Sequence, residues 1–519
     1  MYLTQALHRA VQQHPDRIAV RFGARQRSFR ALGDRVARLA GALQALGLQP
    51  GDRVAMLALN SDRYLEYQMA VPWAGGVLNP CNTRWSAAEI LYSLRDSGSA
   101  LLLVDDAFLP MIDALRREAD LRAVIYCGDG TAPDGLLDYE TLLTAADPVP
   151  DAMRRGDDLA GIFYTGGTTG FPKGVMLSHT NLCSSGLALR AEGLAAPDGC
   201  YLHAAPMFHL ADLGISMPHW MEGNTHSIIP AFNPEVVLDT LARDRVTHLL
   251  LVPTMVQMLV DHPAMKQPRD LRALRAIAYG ASPISEAVID RAMAALPGVD
   301  FVQAYGMTEL SPVATVHPAW YHTAEGRKQG KLRAAGRASF TTEVRIVDAF
   351  DQEVPRGTVG EVVVRGPNVM QGYWNQPELS ATTLRGGWMH TGDGAWMDED
   401  GFIFIADRLK DMIITGGENV YSAEVENALA QHAGVAACAV IGIPSDAWGE
   451  SVHAVVVRKP GHDSASAEAL IAHCKALIAG YKCPRSVDFV EALPLSGAGK
   501  VLKTRLREPF WQGRERAVA

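Results

Sequence analysis

A glycine- and threonine-rich segment, YTGGTTGFPKG at 164–174, carries the clearest chemistry in the sequence. Successive backbone N–H groups and threonine hydroxyls in such a loop can cradle an anion, and glycine permits close approach and positive φ angles. Lys173 adds a cation to the loop. The spacing differs from that of a P-loop, because Lys173 follows Pro172 and precedes Gly174. The segment indicates either a phosphate site of another kind or an exposed glycine-rich turn.

Two further strand-like segments end in residues that often contact ligands. They are Gly280 and Ala281 after one strand, and Tyr305, Gly306, Thr308 and Glu309 after the other. Open parallel sheets bind ligands at the carboxyl ends of their strands, so we expect these ends to share one crevice with the glycine-rich loop. A carboxylate beside a polyphosphate is repulsive unless a cation lies between them. Glu309 therefore indicates a Mg²⁺ site.

Three candidates lie further along the chain. Asp393 stands between glycines, in what the sequence predicts to be a tight turn, and Arg408 follows the next strand-like run. An aspartate there can accept hydrogen bonds from ribose hydroxyls or simply close an Asx-turn. Lys500 lies on a second glycine-rich turn, SGAGK, where it is either a surface charge or a functional cation.

The elements around these candidates alternate between helix and strand patterns. Leu32, Val36, Leu39, Leu43 and Leu46 follow a four-three spacing that predicts one apolar helix face. Short apolar runs such as RVAMLAL and ALLLVDD end in turn residues and predict buried strands. The fold class expected is α/β, with layered subdomains and mostly parallel sheets.

Length and composition predict more than one unit. The chain has 519 residues, too many for one compact domain. We expect an N-terminal body at 1–407, a hinge at 408–411 and a small mobile α+β domain at 412–519. The C-terminal part shows three strand-like runs and one helix pattern, SAEALIAHCKALIAGY.

Charge and cysteine usage exclude several classes of protein. A net charge of -9 argues against non-specific nucleic-acid binding. Seven dispersed cysteines without a C-x-x-C pair indicate reduced thiols. We expect no signal peptide, no membrane-spanning segment and no stable membrane insertion, and therefore a cytoplasmic location.

Taken in order, seven segments resemble the adenylate-forming (ANL) superfamily, and within it the acyl-CoA synthetases, including fatty-acid–CoA ligases. They are YTGGTTGFPKGV, APMFH, YGASP, YGMTE, HTGD, DRLKDMIITGGENVYSAEVE and SGAGK. The resemblance implies an AMP-forming acid–thiol ligase. Such an enzyme converts ATP and a carboxylic acid to an acyl-adenylate and pyrophosphate, and then transfers the acyl group to the thiol of CoA.

The resemblance also implies roles for single residues. The β- and γ-phosphates would be embraced by Thr165, Gly166, Gly167, Thr168, Thr169, Gly170 and Lys173. The rest of the nucleotide site would use Thr308 for phosphate, Glu309 for Mg²⁺, Tyr305 with the Gly280–Ala281 backbone for adenine, and Asp393 with Arg408 for ribose.

Further roles follow for the two steps of the reaction. Lys500 would bridge the substrate carboxylate and the α-phosphate, and Lys410 would be the hinge about which the small domain rotates. Gly416 and Gly417 would line a pantetheine tunnel, with Gly306 as another substrate or CoA contact. His209 would lie between the acyl and thiol channels, although a core histidine is the alternative.

The sequence departs from the superfamily pattern at two positions. Gly166 stands where serine is usual, so a hydroxyl is lost while the backbone N–H stays. Ser422 stands where proline is common, and we expect it to act as a helix N-cap.

The acid itself is less constrained. Segments 209–225 and 304–313 are candidate pocket linings, and they supply no obvious cation for a second carboxylate. We therefore expect a monocarboxylic acid: a medium- or long-chain fatty acid first, and a hydroxycinnamate- or benzoate-type aryl acid second. The alternatives are an adenylation enzyme that loads a free carrier protein and a nucleotide-binding protein without catalysis.

Overall fold

Helices and strands alternate along most of the chain, as the sequence pattern predicts. The computed structural model describes residues 1–165, 172–282, 284–408, 411–416, 418–461, 465–496 and 499–512, with residues 407 and 408 described by their backbone alone. The helices within these ranges are α1 Gln5–Gln13, α2 Phe29–Ala45, α3 Asp62–Trp73, α4 Ala87–Ser97, α5 Leu109–Glu118, α6 Tyr139–Ala145, α7 His179–Ala191, α8 Leu210–Glu222, α9 Pro234–Arg243, α10 Pro253–Val260, α11 Glu286–Ala295, α12 Ala324–Arg327, α13 Pro377–Thr383, α14 Ser422–Ala430, α15 Ala467–Leu477 and α16 Lys503–Trp511.

The strands form four sheets in the described part of the chain. They are β1 Ile18–Phe22, β2 Arg25–Ser28, β3 Arg53–Leu57, β4 Val77–Pro80, β5 Leu101–Val104, β6 Ala123–Tyr126, β7 Leu137–Asp138, β8 Leu159–Thr165, β9 Lys173–Ser178, β10 Cys200–His203, β11 Thr225–Ile228, β12 His248–Leu251, β13 Ala276–Gly280, β14 Asp300–Tyr305, β15 Thr315–His317, β16 Arg337–Ala338, β17 Glu343–Val347, β18 Gly360–Arg365, β19 Gly372–Tyr373, β20 Met389–Met397, β21 Ile403–Arg408, β22 Ile413–Thr415, β23 Glu418–Val420, β24 Val435–Ser445, β25 Gly449–Arg458 and β26 Ser486–Phe489.

The two largest sheets are mostly parallel and supply the strand ends that matter for the site. One has the order β16-β15-β14-β13-β12-β10-β11-β1-β2, and the other β19-β9-β8-β4-β3-β5-β6-β7. In the first, β13 and β14 are parallel neighbours, with Gly280 opposite Ala304. In the second, β8 and β9 form an antiparallel hairpin. The three predicted strand ends therefore come from two sheets.

The two smaller sheets divide at the predicted lobe boundary. Strands β17, β18, β20 and β21 form an antiparallel sheet that ends at Arg408, and the last sheet begins at Ile413. A large layered α/β body followed by a small α+β unit confirms the predicted fold class. The change of sheet falls in the interval proposed as the hinge, and motion about it stays a prediction.

The small C-terminal unit corrects one expectation from the sequence. The sequence predicts one helix from its pattern and the start of another at Ser422, whereas the structure has three: α14, α15 and α16. Helix α16 is polar and contains Pro509, so its pattern is weak. It is held by charge instead, because Lys503 pairs with Glu426 at 2.8 Å and Arg507 pairs with Asp411.

Ser422 is not the N-cap that the sequence predicts. Helix α14 begins at Ser422 itself, Tyr421 holds the cap position, and no side chain caps the helix. The hydroxyl of Ser422 instead accepts a hydrogen bond from Lys503. The first helical position is also the one that proline favours.

Two exclusions from the sequence can be compared with the structure. Within the described ranges, no helix combines the length and the apolar character needed to cross a bilayer. All seven cysteines are free, as predicted, and six of them are buried.

Buried histidines give the fold a predicted sensitivity to acid. Burial lowers the pKa of His179 and His248 to about 4 and that of His322 to about 3. The unfolded chain takes up these protons near pH 6.5 and the folded chain does not, so stability present above pH 6.5 is lost as pH falls toward 4. One such group costs about 2 kcal/mol at pH 5. We expect Tm to fall by several degrees between pH 7.5 and pH 5. His179→Gln should flatten this slope, and a Tm independent of pH over that interval would contradict the argument.

Candidate active site

Strands β8 and β9 flank the glycine-rich segment, and their ends next to it are held by hydrogen bonds. Thr165, the last residue of β8, pairs directly with Lys173, the first residue of β9. The Tyr164 hydroxyl donates to Asp96 Oδ2 at 2.6 Å, and Trp374 Nε1 donates to the Asp96 carbonyl at 2.8 Å. These bonds tie the hairpin to the end of α4. Both ends of the loop are therefore held in place.

Several predicted site residues fall outside the described part of the chain. They are Gly166, Gly167, Thr168, Thr169, Gly170, Lys410 and Gly417, together with the side chain of Arg408. Their roles stay predictions.

Glu309 is a buried carboxylate in a positive environment. It lies in the short 3₁₀ turn Thr308–Leu310 and is 6% exposed. The Tyr373 hydroxyl donates to its Oε1 at 2.8 Å, and Lys173 Nζ lies 5.4 Å from the centroid of the Tyr373 ring. Burial raises the pKa of Glu309, while the Tyr373 hydrogen bond and the charges of Lys500 and Lys173 oppose this rise. Cations from two lobes thus act on one carboxylate.

The surroundings of Glu309 fit the predicted Mg²⁺. Among the described residues no group of three or more His, Cys, Asp or Glu side chains could hold a metal ion together. A single buried carboxylate is nevertheless a usual Mg²⁺ ligand where substrate phosphates and water complete the octahedron. Glu309 would hold the ion beside the phosphate loop in that way.

Lys500 stands on a tight turn that faces the large body. Within the turn, the Ser496 N–H donates to the Lys500 carbonyl at 2.7 Å, and the Lys500 N–H donates to Ser496 Oγ at 3.1 Å. Arg84 of the body donates to the Ser496 carbonyl at 3.2 Å. A Cβ atom at Gly499 would lie only 3.3 Å from Thr254 Oγ1, so glycine allows this close approach. The turn brings the Lys500 charge within range of both Glu309 and His209.

His209 is the N-cap of α8, not an ordinary core histidine. Its Nδ1 accepts a hydrogen bond from the Ala211 N–H at 3.2 Å. Burial, and then the nearby charge of Lys500, lower the pKa of His209 to about 4. The ring is therefore neutral at pH 7, with its proton on Nε2.

Steric reasons account for three of the predicted glycines. A Cβ atom at Gly280 would lie 2.1 Å from the Ala304 carbonyl oxygen, and one at Gly306 would lie 2.1 Å from that of Pro312. Gly416 has φ +63° and a Cβ there would meet the Trp448 ring at 2.9 Å. Ala281 adopts φ +69°, an unusual angle for alanine. Contacts to nucleotide or CoA at these positions would come from the backbone.

Asp393 does not lie in the predicted tight turn. It lies inside strand β20, where residues 390–394 oppose only 361–363 of β18 and form a bulge. Gly392 makes the bulge possible with φ +71°. The bulge aims Asp393 at β14, where the Tyr305 hydroxyl donates to Asp393 Oδ2 at 2.8 Å. Arg408 is the register partner of Asp393 on β21, so the predicted ribose pair is adjacent.

Tyr305→Phe tests whether this hydrogen bond positions Asp393. We expect the KM for ATP to rise about tenfold with little change in kcat, because a hydrogen bond to a charged group is worth about 1.5–3 kcal/mol. Initial rates of pyrophosphate release against ATP concentration give both constants. Tyr321→Phe, whose ring packs against Phe402, serves as the control. An unchanged KM in Tyr305→Phe would show that the bond does not position Asp393.

An apolar cluster packs along one face of the first sheet. Leu250, Ala278 and Val302 are paired across β12, β13 and β14, and their side chains share an apolar cluster with Ile215 of α8. Helix α8 covers this face. Its positions 211, 215 and 219 are four residues apart and therefore lie on one side of the helix. Beside it lies a small cavity lined mainly by apolar side chains, with His219 and His248 among them. The cluster includes Ile215 and Val313, one from each segment that the sequence indicates as a pocket lining, and their role in binding the acid stays a prediction.

Sequence reasoning missed two residues of the site. Tyr373 connects Glu309 to Lys173, yet its only signal is the short GYW run at 372–374. His219 lies within a segment predicted to line the pocket, but no local pattern distinguishes it from other buried histidines. Both matter because of contacts that the fold makes, not because of their neighbours in sequence.

Comparison with known proteins extends over both lobes. A family model described as "AMP-binding enzyme" matches residues 7–374, and one described as "AMP-binding enzyme C-terminal domain" matches residues 424–500. Feruloyl-CoA synthase of Amycolatopsis sp is 42% identical over 97% of this chain and 98% of its own length. Fatty acid–[acyl-carrier-protein] ligase ScoC of Streptomyces coeruleorubidus is 36% identical over 89% of this chain and 87% of its own length. The crystal structure of ATP-bound MatB from Rhodopseudomonas palustris superposes with a TM-score of 0.88 at 33% identity, covering 98% of this chain and 99% of that one.

Proposed function

Because the chain belongs to the family of AMP-binding enzymes, we propose that it is an AMP-forming acyl-CoA synthetase. It activates a monocarboxylic acid with ATP and passes the acyl group to CoA. The observation that carries this proposal is the docking of the turn that bears Lys500, from the small lobe, against Arg84 and Thr254 of the large body. A cation delivered to that place can join two negatively charged reactants.

The first step needs positive charge where the reactants meet. A carboxylate oxygen attacks the α-phosphorus, a new P–O bond forms, and the bond to pyrophosphate breaks. In the proposal, Lys500 holds the carboxylate against the α-phosphate, while Lys173 and the loop after Thr165 hold the leaving phosphates. Preorganised cations act most strongly in a site that excludes water. The contacts of the small lobe with Arg84 and Thr254 place the turn of Lys500 against the large body.

Glu309 would hold Mg²⁺ beside the same phosphates. The Tyr373 hydroxyl would keep the Glu309 carboxylate in position through its hydrogen bond. When bound, this ion neutralises phosphate charge. Thr308, one position earlier, is half-buried and would supply a further hydroxyl for phosphate. Tyr305, Asp393 and Arg408 would fix the nucleoside from the opposite side.

The second step uses the same acyl carbon and a different lobe arrangement. The CoA thiol adds to the acyl carbon, the C–S bond forms, and AMP leaves with the electrons of the C–O bond. We propose that rotation about the 408–411 interval withdraws Lys500, and that Gly416 and Gly417 then face the pantetheine arm. His209, neutral and capping α8, would lie where the acyl and thiol channels meet.

For the acid, we propose a compact aryl acid, with a fatty acid as the second candidate. The sequence alone favoured a medium- or long-chain fatty acid. Among the relatives, feruloyl-CoA synthase is named for an aryl acid and ScoC for a fatty acid. The observation that favours the aryl acid is the closed, well-packed region at His248, the register partner of Ala276, where, among the described residues, the only space is a small cavity. Ala276 lies four residues below Gly280, about 13 Å along the strand. A long acyl chain would have to pass the buried histidines there.

The test is a measurement of pyrophosphate release across a panel of aryl and fatty acids, with CoA, with a carrier protein and with neither acceptor. We expect ATP- and acid-dependent pyrophosphate release, and equimolar AMP and acyl-CoA when CoA is present. Turnover only with the carrier protein would show that a carrier protein, and not CoA, accepts the acyl group. Release of ADP and phosphate, or no pyrophosphate with any acid, would overturn the proposed function.

A cytoplasmic location belongs to the same proposal and is in keeping with the free thiols.

A further inference from the structure

The loop that connects β10 to α8 ends at His209 and is held by a side chain from a distant part of the chain. Asn60, which immediately precedes the N-cap of α3, is 5% exposed. Its Oδ1 accepts from the Met207 N–H at 2.7 Å, and its Nδ2 donates to the Ala205 carbonyl at 2.9 Å. The same Nδ2 donates to the His203 carbonyl at 3.4 Å. Asn60 thus binds the backbone of this loop at three points.

These bonds supply partners that the backbone of the loop does not provide for itself. In the described part of the chain, the Met207 N–H and the Ala205 carbonyl make no hydrogen bond to another backbone group. Both residues are buried. A buried backbone group without a partner is costly, so the loss of Asn60 would leave two such groups unpaired. The loop would have to shift to satisfy them.

His209 is directly linked to the bound residues. Its N–H donates to the Pro206 carbonyl at 3.0 Å, and Pro206 lies between Ala205 and Met207 in the chain. A single turn therefore separates the residues that Asn60 holds from the imidazole ring. A shift of the loop would move His209 with it.

Asn60 itself is fixed by the helix that follows it. Asp62 and Glu66 lie in the first two turns of α3 and are both buried. Asp62 pairs with Arg25 of β2 at 2.9 Å, and Glu66 pairs with Arg35 of α2 at 2.6 Å. Buried ion pairs with good geometry break only at a large cost, so they hold the start of α3 in place. Asn60 is therefore a fixed point against which the loop is set.

We propose that Asn60 is a positioning residue for His209 in the thioester-forming step. This inference rests on the proposed function, in which His209 lies where the acyl and thiol channels meet. The thiol must reach the acyl carbon in a narrow range of geometries, so a displaced ring at that junction slows the step. Adenylate formation depends on Lys500 and Lys173 instead, and Asn60 contacts neither. Loss of Asn60 should therefore affect the two half-reactions unequally.

A matched control lies at the other end of β10. Asn224 is 0% exposed. Its Oδ1 accepts from the Gly199 N–H at 2.9 Å, and its Nδ2 donates to the Ala196 carbonyl at 2.9 Å. Asn224 thus makes the same kinds of bond to a loop as Asn60 does, but to the loop before β10. Asn224→Ala should lower Tm as Asn60→Ala does, and should leave the ratio of the two half-reaction rates unchanged.

The experiment measures the half-reactions separately, as pyrophosphate release without CoA and as AMP release from synthetic acyl-adenylate with CoA. Asn60→Ala should slow the second about tenfold and the first by less than about threefold. His209→Asn removes the ring but keeps a side chain that can cap α8, and it should also slow the second. In the His209→Asn background, Asn60→Ala should add less than about a twofold loss, because both changes then remove one contribution.

A milder variant keeps the proposal testable if Asn60→Ala does not fold. Gln68 of α3 donates through Nε2 to the Met207 carbonyl at 3.4 Å, and its Oε1 has no hydrogen-bond partner among the described residues. Gln68→Leu therefore removes one bond to the same loop without unpairing a second group of its own. We expect it to slow the thioester step about two- to threefold and to leave adenylate formation unchanged.

The outcomes separate this inference from the proposed function. Equal losses in both half-reactions of Asn60→Ala, with a lowered Tm, would make Asn60 purely structural and overturn the inference. A full tenfold loss in the His209→Asn background would also overturn it, since Asn60 would then act on another group. An unchanged thioester step in Asn60→Ala and Gln68→Leu would do the same. A native chain that forms no acyl-adenylate would overturn the proposed function itself, and this inference with it.

Discussion

Lys500→Ala should lower the rate of acyl-adenylate formation by about 10²–10³-fold or more, because it removes the cation that joins carboxylate and α-phosphate. The same variant should still convert preformed acyl-adenylate and CoA to acyl-CoA at nearly the native rate. The reason is geometric: the turn that carries Lys500 contacts the body near Arg84 and Thr254, and the proposed rotation about 408–411 would break these contacts. The thioester step would use another arrangement, in which this amine is absent.

The two half-reactions are measured separately, by pyrophosphate release without CoA and by AMP release from synthetic acyl-adenylate with CoA. Lys475→Ala, an exposed lysine on α15 of the same lobe, is the matched control and should leave both rates unchanged. If Lys500→Ala slows both half-reactions equally, Lys500 stabilises the fold or binds a ligand used in both steps, and its proposed role in the first step alone is wrong. If both survive, the proposed role of Lys500 is wrong.

Glu309→Gln is expected to produce the second large loss, again about 10²–10³-fold in adenylate formation. The substitution keeps the shape of the side chain and its bond to Tyr373 but removes the charge that would hold Mg²⁺. We therefore expect the Mg²⁺ concentration for half-maximal rate to rise as well. Stability should not suffer, since removing a buried charge also removes its desolvation cost. Thermal unfolding and Mg²⁺ titrations of pyrophosphate release measure both effects.

Tyr373→Phe is the companion variant, because Tyr373 only positions the carboxylate. Loss of one hydrogen bond to a charged group predicts about a tenfold fall in rate, with the Mg²⁺ dependence shifted in the same direction. An unchanged Mg²⁺ dependence in Glu309→Gln would remove Glu309 from the metal site. A Tm lowered by many degrees would assign it a structural role instead.

The sequence by itself determined the type of most elements and the chemistry of the strand ends. Helix α2 and strands such as β8, β13 and β14 follow from spacing and turn residues, which depend on near neighbours in the chain. The loop after Thr165, the YGMTE segment and Lys500 were recognisable for the same reason. The ordered motifs also identified the family and the α/β body with its small second unit.

Tertiary structure decided which of these groups meet and how they are held. Asp393 was expected in a turn and lies in a bulge of β20, because β18 and β21 continue the ladder on both sides of it. Tyr373 joins Glu309 from a distant segment, and the amide of Asn224 is oriented by Gly199 and Ala196, which belong to an earlier segment of the chain. Such contacts depend on how far-apart parts of the chain pack. The local sequence pattern indicates secondary-structure propensity and hydrophobic periodicity. The hydrogen-bond partners, the burial and the charge environment of a residue are set only when the chain folds.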